Sequence, residues 1–62
     1  MSWIRVPGPE FIGPFPSTQH AREFIERAGL RVAEPVDRPE DGTRHTIKAA
    51  ETILKTAPGW FA

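Results

Sequence analysis

The sequence contains no cysteine. That excludes disulfide staples and thiolate metal sites, two of the usual supports of a very small fold. It also lacks a net charge, with eight basic residues against eight acidic ones. No overall field therefore steers it onto nucleic acid or an anionic lipid surface. Long apolar runs are missing too, and none approaches the roughly 20 residues of a membrane span. The stretch "MSWIRVPG" has neither the apolar centre nor the small-residue site of a signal peptide. These absences lead us to expect a soluble, cytoplasmic protein with no membrane partner. No Gly-rich phosphate loop is present. With only two histidines, His20 and His45, a metal site of ordinary ligand count is hard to assemble. We expect no metal and no cofactor.

Sixty-two residues make one domain, 1–62, with an aromatic tail at 58–62. A chain of this size buries only about 60% of its unfolded surface. A tightly packed core or self-association must supply what disulfides do not. Seven prolines are spread through apolar sequence, where they punctuate turns rather than form a disordered tract.

Local signals give an order of elements. Trp3–Val6 and Glu10–Gly13 are short, apolar and β-prone, and the "PGPE" between them suits a hairpin turn. Pro7, Pro9 and Pro14 cannot donate to a ladder, so these strands are expected to be short or to lie at a sheet edge. Ser17 or Thr18 can cap a helix in which Ala21, Phe24, Ile25 and Ala28 share one face. Arg22–Glu26 and Glu23–Arg27 pair on the other side. Gly29 fits a left-handed stop, with Leu30 folding back on Ile25. Leu30–Val36 alternates like a third strand, shortened or placed at an edge by Pro35. "DRPEDG", 37–42, reads as a polar loop. Thr43 can cap a second helix whose face is Ile47, Ala50, Leu54 and Ala57, with Ile53 beside it, ending at Pro58-Gly59. The expected fold is a small α+β miniprotein of order ββαβα, with a short antiparallel hairpin or sheet packed on one or two helices.

Residue types that carry chemistry are sparse. Ser17, His20 and Asp37 have the identities of a hydrolytic triad, but a triad is defined by geometry and an oxyanion hole. Glu34, Asp37, Glu40 and Asp41 lack the spaced ligand loop of a calcium site. The expectation is a protein that is not an enzyme.

Two family resemblances bear on partners. A hairpin, "GPF", a hydroxyl residue and a helix over residues 3–28 resemble the arm-binding domains of phage integrases and the plant AP2 modules. This likeness implies nucleic-acid binding through Arg5, Arg22, Arg27 and Arg31, with Trp3 and Phe11 as stacking faces. Those families read DNA with a sheet rich in basic and aromatic residues. Here the sheet is expected to offer only Arg5 and Arg31, and Glu23 and Glu26 sit among the arginines. Binding to phosphates draws on a net positive face, so nucleic acid is the second reading. "WIRV…IGPFPSTQHAREFIERAGLRV" looks like half of a SPOR repeat over residues 3–33, a family that binds peptidoglycan glycan strands. The second half-repeat is absent, since "HTIKAAETILKT" does not resemble it. In overall composition the chain resembles short uncharacterised proteins of actinobacteria and their phages, which implies a small host-directed or accessory protein that works by binding.

The apolar side chains point the same way. Sixteen large ones, from Trp3 to Phe61, are many for the length. Trp60 and Phe61 follow a Pro-Gly break and suit either a core cap or a hot spot in a partner. Trp3 and Phe11 lie on what reads as an unpaired strand edge, open to an added strand. We therefore expect a non-catalytic protein-binding module, acting as a homo-oligomer or as an inhibitor or adaptor of a larger protein. Its contact residues are Trp60, Phe61, Ile53 and Leu54, with Trp3 and Phe11 next.

Overall fold

The computed structural model describes residues 1–57. Six elements follow in order: β1 (Ser2–Val6), β2 (Glu10–Phe15), α1 (Thr18–Ala28), β3 (Glu34–Val36), β4 (Thr43–His45) and α2 (Ile47–Thr56). The strands make one four-stranded sheet in the order β3-β1-β2-β4. It is a small α+β fold, as the sequence patterns require, with a fourth strand they did not show.

The hairpin forms where the apolar runs placed it. Ile4 pairs with Ile12, Arg5 with Phe11 and Val6 with Glu10, and the register shifts between Ser2 and Ile4. Three residues, Pro7, Gly8 and Pro9, close the turn, so neither Pro7 nor Pro9 has to donate within a strand. Pro14 lies beyond Ile12, the last β2 residue that β4 reaches. The prolines thus fall outside the ladder, and β1 and β2 are the two central strands rather than an edge.

Helix α1 is set by local chemistry. Ser17 has extended backbone angles, and its Oγ accepts from the His20 amide at 3.3 Å. At the other end Gly29 has φ of 69°, and its N–H donates to the Glu26 carbonyl at 3.3 Å while that of Leu30 donates to Ile25 at 3.1 Å. This is the paired Schellman closure, which satisfies carbonyls that the helix leaves orphaned. Ser2 Oγ and Thr18 Oγ1 lie 2.9 Å apart and tie the start of β1 to the first turn.

The third strand is shorter than its alternating pattern suggests, Glu34–Val36 instead of 30–36. The Leu30 amide is consumed by the helix end, and the Ala33 amide donates to the Leu30 carbonyl at 3.4 Å. That tight turn takes 30–33 out of the ladder and leaves Val32 54% exposed. Pro35 does sit on an edge strand, as its missing donor demands.

The second helix begins later than Thr43. Thr46 is its cap, with Oγ1 accepting from the Ala49 amide at 3.1 Å. Thr43–His45 instead pairs in parallel with Glu10–Ile12, using the side of β2 that the hairpin leaves open. Thr52 and Thr56 return their hydroxyls to the helix's own carbonyls.

Both helices cover one face of the sheet. Ile4, Val6, Ile12 and Phe15 meet Ala21, Phe24, Leu30 and Ala50 there, with Ile25, Ile47 and Leu54 packed against them. Phe15 and Phe24 stack at a tilt with ring centroids 5.4 Å apart, a favourable aromatic geometry.

Candidate functional site

The strands place alternate residues on the face opposite the helices. One row of that face crosses all four strands: Glu34, Arg5, Phe11 and Arg44. Arg5 Nη1 donates to Glu34 Oε1 at 3.0 Å in an exposed ion pair, with the two side chains 51% and 59% accessible. Such a pair contributes at most about 1 kcal/mol. Arg44 is exposed. The next row holds Val36 and Trp3, both half-buried. The six-membered ring of Trp3 rests on Gly13, where a Cβ would come within 2.8 Å of Cδ2 and Cε3.

Phe11 belongs to this open face, yet it is 1% exposed. Its cover is the connection between β3 and β4. Those two strands point the same way from opposite edges, so residues 37–42 must cross the sheet on the side the helices do not occupy. Gly42 seats this strap. A Cβ there would stand 2.5 Å from the Pro9 carbonyl oxygen and 3.1 Å from Phe11 Cε2. The Thr43 amide then donates to that same Pro9 oxygen at 3.4 Å. The expectation that Phe11 marks an unpaired edge is corrected accordingly. It lies on a central strand, sealed by a segment that sequence marks only as a polar loop.

The other expected contact residues divide by element. Leu54 and Ile53 are half-buried on α2, with Leu54 packed against the core. Trp60 and Phe61 lie outside the described residues. Trp3 keeps a partly accessible indole. Val32 is an addition. It lines a shallow pocket of about 170 Å³ with Arg5, Val6, Pro7 and Glu34. No sequence signal marked it, because its alternation with Leu30 fits a strand equally well.

The arginines of the nucleic-acid reading do not converge. Arg5 is on the open sheet face, whereas Arg22 and Arg27 are on α1, behind the opposite face. The Arg27 guanidinium lies 5.6 Å from the Phe24 ring centroid. Arg31 is exposed in the turn after α1 and not in the sheet.

Of the triad types, Ser17 Oγ and His20 Nδ1 are 2.7 Å apart, exposed, at the helix start. Asp37, at the start of the strap, hydrogen-bonds to neither. The Ser17 oxygen is already committed as the cap. His45 Nε2 and Glu10 Oε1 meet at 2.7 Å with side chains only 16% and 26% exposed, linking β4 to β2 on the helix side. Among the described residues, no group of three His, Cys, Asp or Glu is placed to hold a metal ion, and no helix is long and apolar enough to cross a membrane. No family model, curated protein or solved structure matches the chain.

Proposed function

We propose that this chain is a non-catalytic protein-binding module that works through apolar contact, as a homo-oligomer or as an inhibitor or adaptor of a larger protein. One observation carries the reading. The core is closed on both sheet faces, yet Val32 is 54% exposed and Trp3, Ile53 and Leu54 keep half-buried side chains at the surface. Apolar groups of this size left in reach of water favour association. Self-association is the first form to test, because a 62-residue chain without disulfides gains most from a second copy of itself.

The test uses two variants, one with Trp60→Ala and Phe61→Ala together and one with Ile53→Ser. Folding is read by circular dichroism and association by light scattering. The proposal expects intact folding with lost association. Loss of folding in the tail variant assigns those aromatics to the core, and unchanged association in both variants refutes the contact.

A further inference from the structure

The connection from β3 to β4 carries the inference. Everything after the strap is a C-terminal arm, β4 and α2, and it rests mainly on β2. Its strand pairs in parallel with Glu10–Ile12, and Ala50, Ile47 and Leu54 of its helix close the core. The His45–Glu10 pair adds a polar clasp at 2.7 Å. No hairpin joins the arm to the strand it pairs with. Any copy of β2 with that side free therefore presents the arm with the same surface.

The strap is short for its path. Val36 sits beside Trp3 and Thr43 beside Glu10, on opposite edges. The crossing covers three strand spacings, about 14 Å, and about 10 Å along the strands, roughly 17 Å in a straight line. Seven peptide steps reach about 24 Å when fully extended. The chain must also rise over Phe11 and the half-buried Trp3. Little slack is left. Six residues, Asp37 to Gly42, make the crossing, and none of their side chains makes a hydrogen bond or ion pair. Short, taut hinge loops favour exchange of the element they tether.

We propose that the arm, residues 43–57, is exchanged between two copies of this chain, each placing its β4 and α2 on the partner's β2. The inference rests on the homo-oligomer form of the proposed function and names the surface that form uses. Edge-to-edge pairing of two β4 strands is the poorer route, because an antiparallel pair centred on Arg44 sets the two guanidinium groups opposite each other. The β3 edge is blunted by Pro35.

The chain has no cysteine, so introduced thiols report the exchange cleanly. Glu10 and Thr43 are register partners, within the reach of a disulfide. A chain with Glu10→Cys is unfolded together with a chain bearing Thr43→Cys, and the mixture is refolded at high concentration and oxidised. The double variant on one chain serves as control and closes internally. The proposal expects a covalent pair of chains from the mixture on a non-reducing gel. A control that closes beside a mixture that gives no covalent pair overturns it. In that case a dimer seen by light scattering still supports self-association, and only the exchange is lost.

A second chain lacks Glu40 and Asp41. Five steps remain, about 17 Å at full stretch, which cannot clear the face. The proposal expects this chain to fold only as a dimer or larger species. A folded single-copy species overturns it.

Discussion

Replacing Gly42 by alanine tests the strap more sharply than deleting a core side chain would. A Cβ at this position stands 2.5 Å from the Pro9 carbonyl oxygen, and φ is 157°. The obstruction is backbone, held from the other side by the amide of Thr43 at 3.4 Å. It cannot swing aside as a flexible side chain would. Forcing a methyl group into packed surroundings costs about 1 to 3 kcal/mol, and a glycine-only backbone region adds about 1 kcal/mol or more. Together they make about 3 kcal/mol. Gly29→Ala is the matched control. Its φ of 69° is also left-handed, but nothing lies within 4 Å of the added carbon, so only the conformational cost of about 1 kcal/mol applies. The difference of about 2 kcal/mol is large for a 62-residue chain, whose total stability should be about 3 to 9 kcal/mol. Urea unfolding followed by far-ultraviolet circular dichroism measures it. With a slope of about 1 kcal/mol per molar for so small a protein, the two midpoints should differ by about 2 M. If Gly42→Ala loses no more than Gly29→Ala, the strap is not seated on Pro9 and Phe11, and the burial of that face is wrong.

Two further substitutions probe other joints. Gly13→Ala places a carbon 2.8 Å from the Trp3 ring. It should cost about 1 to 3 kcal/mol and shift the Trp3 emission to the red as the indole is lifted, a change absent if the ring does not rest there. Ser17→Ala removes the acceptor of the His20 amide and should cost about 1 kcal/mol, whereas Ser17→Gly should cost only a few tenths. Equal losses from the two would deny the hydroxyl its capping role.

Helix α1 was legible because each of its signals acts within a few residues. Ser17, Gly29 and Leu30 fix its ends through bonds to atoms close by in sequence, and no distant partner is needed. β4 was not legible for the opposite reason. Thr43, Arg44 and His45 carry no apolar alternation, and they are a strand only because β2 offers a free side 33 residues away. Thr43 and Thr46 are chemically the same cap, and only that pairing decides between them. Val32 follows the strand pattern faithfully, but the Leu30 amide is spent on closing the helix. Phe11 was misplaced because three nearby prolines suggested an edge. They fall in the turn and beyond the β4 pairing instead, and the strap that buries Phe11 is a polar hexapeptide with nothing in its sequence to announce what it covers.

The same limit applies to the contact residues. Sequence can count apolar side chains, but it cannot divide them between core and surface. The fold removes Phe11 from the accessible set and adds Val32, leaving Trp3, Ile53 and Leu54 as the described residues on which the binding proposal stands.

The central claim is that this chain associates through apolar contact, and first with itself. Light scattering coupled to size-exclusion chromatography, over a wide range of loading concentrations, measures that directly. The account predicts a molar mass that rises from one copy to two as concentration increases. A mass that stays at one copy at every concentration contradicts it.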